Sequence, residues 1–157
     1  LATIPNLFKA GQLIKDEKDT EALALLEKTR VPPKSELVAM YREVELQARL
    51  GMAFREHNFD QFLELSQQLL ALHPNESKVL GSAASAYACT FAVTGDAQYR
   101  ALALDYWDRA KKEAGDHQEL MDDFENRLQH RLQTREILSR KQFMERYPNG
   151  WKPENGK

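Results

Sequence analysis

The sequence contains a single cysteine, Cys89, and only short apolar runs. One cysteine excludes an intramolecular disulfide and a cysteine-based zinc site, so stability must come from packing. No apolar run approaches the roughly 20 residues of a membrane helix, and no signal-peptide pattern opens the chain. The first residue is Leu rather than Met, so we expect a processed product or an excised segment. We predict a soluble protein and leave its compartment open, with the cytoplasm slightly favoured.

The chain also lacks a marked excess of either charge. It has 22 Lys and Arg against 24 Asp and Glu, a formal net charge of -2. Without a positive field, nothing indicates nucleic acid or an anionic membrane as a partner. The 157 residues are 42% hydrophobic and 29% charged, which is typical of one compact domain. We therefore predict a single domain over residues 1–147 and a C-terminal tail over 148–157.

Glycine and proline are scarce, with 7 and 6 residues, and they stand at intervals between stretches of good helix formers. Within these stretches apolar residues recur at steps of three and four, and no stretch alternates long enough for a strand. The pattern predicts an all-α fold with helix pairs at about 7–31, 35–73 and 76–114. A capping-box-like start at Asp116 and Glu119 predicts one long cap helix over 116–147, onto which Trp151 could fold back.

The three pairs follow an internal period. The predicted starts of their second helices, Asp19, Asn58 and Asp96, are 39 and 38 positions apart. Small and aromatic residues recur within the pairs. The second pair carries Leu50, Gly51, Phe54, Asn58, Phe59, Phe62, Ser66, Leu69 and Pro74; the third carries Leu80, Gly81, Gly95, Ala103, Trp107 and Ala110; the first keeps Ala22, Leu26 and Pro32-Pro33.

These positions resemble the tetratricopeptide repeat family, whose unit is two antiparallel helices with small and aromatic residues at fixed steps. The resemblance covers about residues 7–115 and implies a right-handed α-α superhelix closed by a capping helix. The period exceeds the family's roughly 34 residues, and Ser66 and Ala84 stand where the family has aromatic residues. Solenoids with HEAT-type units of roughly 40 residues remain a structural alternative.

The resemblance also implies a concave groove lined by the first helix of each pair. The family's groove positions fall on two sets of residues in this chain. They are Glu45, Ala48, Met52 and Arg55 in the second pair, and Lys78, Ser82, Ser85 and, in an alternative register, Cys89 in the third. This lining lacks the several cationic side chains with which chaperone-binding members hold a carboxylate. We expect it to bind a short peptide or a partner helix.

The predicted last helix carries Arg127, Arg131 and Arg135 four residues apart, hence on one face. We interpret this stripe mainly as a solvated face, with docking of an acidic partner as the alternative. The same helix has an apolar stripe at Leu120, Phe124, Leu128 and Leu132, which we expect to pack on the third pair rather than to mediate self-association.

The sequence has no GxGxxG, P-loop, GxSxG or HExxH motif. None of its four histidines has a metal-ligand partner on the same helix face, so we expect them to be surface or capping side chains. We expect Cys89, on an Ala-rich helix, to be a buried small residue. We predict no enzyme, no metal and no cofactor, and interpret the chain as a scaffold-like protein-binding module. The alternatives are an accessory or self-association domain of a larger, possibly membrane-anchored protein, and an enzyme subunit or small-ligand pocket.

Overall fold

A computed structural model describes residues 2–115 and 118–153, with helical backbone but no side-chain placement at 118–120. Over these ranges the chain is all-α, without strands, and this confirms the predicted fold class. The described helices are α1 (Thr3–Lys15), α2 (Asp19–Glu27), α3 (Leu37–Arg55), α4 (Phe59–Leu72), α5 (Ser77–Thr94), α6 (Ala97–Ala114), α7 (Gln118–Thr134) and α8 (Arg140–Arg146). Of these, no helix is long and apolar enough to cross a membrane.

Side-chain caps fix the starts of α4 and α6 where the sequence predicts them. The Oδ1 atom of Asn58 accepts a hydrogen bond from the backbone N–H of Gln61 at 3.2 Å. The Oδ1 atom of Asp96 accepts one from the backbone N–H of Gln98 at 3.0 Å. Each bond satisfies a donor that the first turn of a helix leaves open. Between α5 and α6, Gly95 adopts φ 72°, the left-handed conformation that favours glycine at a helix end.

The chain divides into two compact units, Leu1–Leu69 and Leu70–Lys157. In the first unit, α1, α2 and α3 enclose a core of small and aliphatic side chains. Its buried members are Leu7, Ala10, Ala22, Leu26 and Ala48. The hydroxyl of Tyr41 on α3 donates to the carbonyl of Leu26 at 2.9 Å. Helix α4 packs on α3 through Phe54, whose ring lies 5.4 Å from that of Phe62.

In the second unit, α5 and α6 form an antiparallel hairpin. Many of its buried side chains are alanines, which allow the two helices to approach closely. Tyr87 on α5 stacks on Tyr106 on α6 with centroids 5.4 Å apart. On α7, Leu128 and Leu132 are buried, and the Phe124 ring stacks 4.8 Å from buried Trp107 on α6. This confirms that the apolar stripe of α7 packs on the third pair; the side chain of Leu120 lies outside the described residues.

The predicted single helix over 116–147 is wrong, because α7 and α8 are separate helices. Arg135 follows α7 with φ 61° and donates its N–H to the carbonyl of Arg131 at 2.9 Å, which closes the helix. Ser139 then starts α8 with a reciprocal capping box to Gln142. The residues between them include Ile137 and Leu138 at helical steps and neither Gly nor Pro, so the pattern conceals the break. The predicted cap at Asp116 and the side chain of Glu119 lie outside the described residues.

Candidate functional site

The α3 residues predicted to line a groove lie on two neighbouring faces of the helix. Ala48 is fully buried in the core shared with α1 and α2, so it is no surface residue. Arg55 points towards α2, where it pairs with Asp19. Glu45 and Met52 remain partly exposed, and Glu45 pairs with Arg49 at 3.8 Å. The accessible part of the predicted α3 lining is therefore Glu45 and Met52, beside the Arg55 pair.

The pair of Asp19 and Arg55 joins the first turn of α2 to the last turn of α3. The Asp19 side chain is 2% exposed and that of Arg55 is 38% exposed. Gly51 lies one turn before Arg55 and leaves room for the carboxylate, because a Cβ atom there would collide with the side chain of Asp19. Burial raises the pKa of Asp19, against the opposing attraction of Arg55. The sequence marked Asp19 only as a helix start and gave no sign of this contact.

The α5 residues predicted for the groove separate in a similar way. Lys78 is exposed and Ser82 is half-buried, whereas Cys89 is fully buried. Ser85 accepts bonds from the Arg131 guanidinium of α7 at its hydroxyl, 2.7 Å away, and at its carbonyl, 3.3 Å away. Burial raises the pKa of the Cys89 thiol to about 11. Cys89 is therefore the buried small residue that the Ala-rich helix predicts, and it lines no accessible groove.

Arg127 and Arg131 of α7, and Arg135 after it, do not form the predicted solvated stripe, because Arg131 is buried. Arg131 is 5% exposed and also donates to the carbonyl of Leu138 at 3.4 Å, so for this residue the prediction of a solvated side chain is wrong. Arg135 donates from Nε to the carbonyl of Ala92 at 3.1 Å, a group in the last turn of α5. Arg127 pairs with Asp123 at 3.5 Å. Each arginine thus contacts another group of the second unit, and Arg131 is too buried to meet a docking partner.

His130 is 1% exposed, which contradicts the prediction that it is a surface or capping side chain. Its ring centroid lies 5.4 Å from Phe143, 5.3 Å from Tyr147 and 5.1 Å from Trp151. Its Nε2 atom is 3.3 Å from the hydroxyl of Tyr147. Burial lowers the pKa of His130, because the charged imidazolium is poorly solvated among these rings.

Trp151 folds back onto α7, as the sequence suggests, and Asn126 holds its backbone. The Nδ2 group of Asn126 donates to the carbonyl of Trp151 at 2.8 Å, and its Oδ1 atom accepts from the Trp151 N–H at 3.1 Å. We use the name "clasp" for Asn126, His130, Phe143 and Tyr147. Sequence reasoning missed the clasp because its four members look unrelated along the chain. The Ser139–Gln142 capping box was the one signal for a separate α8.

Two open depressions border Trp151. One, of about 380 Å³, is lined by Asp122, Glu125, Asn126, Gln129, Gln133, Trp151 and Pro153. The other, of about 420 Å³, includes Asp122, Phe143, Tyr147, Trp151 and Lys152. In the part of the chain that the structure describes, no three His, Cys, Asp or Glu side chains are placed to hold a metal ion. Both linings combine polar side chains, which can bond to a peptide backbone, with aromatic side chains, which can contact apolar groups of a peptide.

Comparisons with known proteins give no relative: no protein family, no curated protein and no solved structure matches this chain.

Proposed function

We propose that the chain is a noncatalytic protein-interaction module built from tetratricopeptide-like helix pairs, which binds a peptide or a partner helix on the exposed side of α3. The observation that carries this proposal is the accessible sequence of Glu45, Arg49 and Met52 on successive turns of α3. Steps of four and three residues place these side chains on one face of the helix. An apolar side chain thus lies beside a pair of opposite charges.

Each residue has a chemical role in the proposed contact. Met52 has a flexible, polarizable side chain that adapts to different apolar partners. Glu45 and Arg49, whose side chains are 34% and 48% exposed, can exchange their mutual ion pair for bonds to a partner. The right-handed superhelix of the tetratricopeptide family belongs to this proposal, supported by the helix-pair pattern and its period of 38 to 39 residues.

The test is affinity capture from a lysate of the source cells with wild-type and Met52→Glu chains. We expect Met52→Glu to abolish the capture of a protein that the wild type binds. The substitution would place a charged side chain in the buried contact with that protein. Met40→Glu is the matched control. Met40 is exposed on the same helix, and twelve residues place it about 120° around the helix from Met52. A partner retained by Met52→Glu, or lost equally with both variants, would contradict the proposed surface.

Arg55 is unsuitable for this test although it belongs to the predicted lining. Its guanidinium neutralises buried Asp19, so a change at Arg55 alters folding as well as any surface contact. Glu45→Lys is the better second variant, because it reverses the charge beside Met52 and leaves the Asp19 pair intact.

Self-association is the second candidate function, and the exposed apolar face of α1 favours it. Ile4 and Phe8 are one turn apart and are 50% and 70% exposed. An isolated exposed Leu or Ile is ordinary, but a Phe ring exposed beside an Ile offers a contact area. Light scattering should then give a mass that rises with concentration for the wild type and stays monomeric for Phe8→Glu. A monomeric wild type would exclude this function.

A further inference from the structure

The hydrogen bonds between Asn126 and Trp151 involve only main-chain atoms of Trp151. One side-chain amide thereby satisfies both the donor and the acceptor of a single residue. Any residue except proline presents these two groups in the same backbone conformation, whatever its side chain. Asn126 is thus suited to hold a peptide backbone and not just this particular residue.

The Trp151 side chain contacts the ring of His130. It meets His130 at 5.1 Å with the two ring planes 88° apart, an edge-to-face contact. Phe143 of α8 and Tyr147, the residue that follows α8, lie against the same histidine. The clasp therefore combines a backbone clamp on α7 with an aromatic wall from α7 and α8, so a peptide bearing a tryptophan satisfies both parts.

The segment held by the clasp is separate from the helices. Residues 151–153 have no regular secondary structure, and a turn precedes them in which Gly150 has φ 84° and donates its N–H to the carbonyl of Tyr147 at 2.9 Å. Lys152 and the acidic residues Asp122 and Asp123 border the same depression, so the residue after the tryptophan lies at an acidic part of the surface. The segment in the clasp is therefore a tryptophan followed by a cationic residue, outside any helix.

We propose that the clasp is a peptide-binding site for a nonhelical partner segment with a tryptophan followed by a basic residue, and that residues 150–153 occupy it as an intramolecular competitor. A partner peptide binds when it displaces these residues. Because the site lies on α7 and α8, it does not depend on the α3 surface of the proposed function. Loss of the clasp should leave capture through Met52 unchanged, so the two proposals can fail separately.

The probe is a fluorescent ten-residue peptide with the sequence of residues 148–157, and the measurement is anisotropy with the full-length chain. We expect Trp151→Ala to vacate the clasp and bind the peptide at least about tenfold more tightly than the wild type, because a tethered competitor acts at an effective concentration in the millimolar range. A peptide with alanine in place of its tryptophan should not bind. Adding Asn126→Ala to Trp151→Ala should weaken binding by about tenfold or more, since both backbone bonds are lost.

The matched control adds Gln129→Ala to Trp151→Ala. Gln129 is another amide on α7 at the neighbouring depression, and this double variant should bind as Trp151→Ala does. If Trp151→Ala loses helicity, Lys152→Asp in the otherwise native chain replaces it. This change adds an acidic side chain to a depression that already contains Asp122 and Asp123, so it should weaken the intramolecular contact and tighten peptide binding about two- to threefold over the wild type. Equal binding to wild type and to a folded variant, no binding to either, or full retention after Asn126→Ala would overturn the proposal.

Discussion

Asp19 and Arg55 form an ion pair between the first turn of α2 and the last turn of α3, with the carboxylate almost completely buried. The two residues are 36 positions apart in sequence, so the pair fixes one helix against another. Gly51 makes the approach possible by having no Cβ atom. The contact therefore requires an acidic residue at 19, a glycine at 51 and a basic residue at 55, and a substitution can test each requirement.

Removing the cation should destabilise the first unit. Arg55→Ala leaves Asp19 charged and buried without its partner, so we expect the free energy of unfolding to fall by about 1–3 kcal/mol. Arg49→Ala is the control, because its pair with Glu45 is exposed and should contribute no more than about 0.5 kcal/mol. Urea unfolding followed by circular dichroism gives both values. Equal effects of the two substitutions would show that burial of Asp19 is unimportant.

Two glycines inside helices should respond in opposite directions to the same substitution. Gly51→Ala sets a methyl group against the Asp19 carboxylate and should cost about 1–3 kcal/mol. Gly11→Ala in α1 meets no atom within 4 Å and should stabilise by about 0.5–1 kcal/mol through its better helix propensity. Thermal unfolding of both variants checks the difference in sign. Stabilisation by Gly51→Ala would contradict the described contact.

Arg131 should matter for folding far more than Arg140, an exposed arginine of α8. Its side chain donates to the hydroxyl and carbonyl of Ser85 and to the carbonyl of Leu138, and both of these residues are partly buried. Arg131→Ala leaves these acceptors unsatisfied and should cost about 2–4 kcal/mol. Arg140→Ala removes a side chain that is 61% exposed and should change stability by less than about 0.5 kcal/mol. Comparable values for the two arginines would contradict the buried position of Arg131.

His130 should make stability decline in mild acid. Burial holds the folded-state pKa of His130 below its ordinary value of about 6.5, so the unfolded chain takes up the proton first. The stability is fully present above about pH 6.5 and is lost as the pH falls through the folded-state pKa. Urea midpoints from pH 7.5 to 5 should fall more steeply for the wild type than for His130→Phe.

Cys89 should resist thiol reagents in the folded chain. It is fully buried, and at pH 8 a pKa of about 11 leaves only about one thiol in a thousand ionised. We expect negligible reaction with a disulfide reagent under native conditions and complete reaction in urea. Rapid labelling of the folded chain would contradict the packing of α5.

The sequence predicts local helix signals well and helix contacts poorly. Asn58 and Asp96 mark helix starts because a cap depends on bonds within four residues. The end of α7 at Arg135 escapes prediction, because a non-glycine residue adopts φ 61° where tertiary contacts to Ala92 hold it. Arg131 and His130 are buried by helices distant in sequence, and residue type alone indicates the surface for both.

In the candidate site too, the sequence predicts the helix but not which of its residues contact other helices. The resemblance to the tetratricopeptide family implied that Glu45, Ala48, Met52 and Arg55 line a groove. These residues lie on one broad side of α3, and residues that line a groove and residues that contact another helix can both lie within that side. Only the position of α1 and α2 separates buried Ala48 from accessible Met52. The clasp depends on a turn after α8, and no single residue in it has a distinctive sequence pattern.

Both tryptophans of the chain, Trp107 and Trp151, belong to the second unit, and the first unit has none. Intrinsic tryptophan fluorescence therefore monitors the unfolding of Leu70–Lys157 alone. Trp107 is buried with its indole N–H bonded to Glu125, whereas Trp151 is partly exposed, so the two fluorophores should emit at different wavelengths. Unfolding of the helices around Asp19 would not change the tryptophan fluorescence. Unfolding curves that differ between fluorescence and circular dichroism would therefore show that the two units unfold independently.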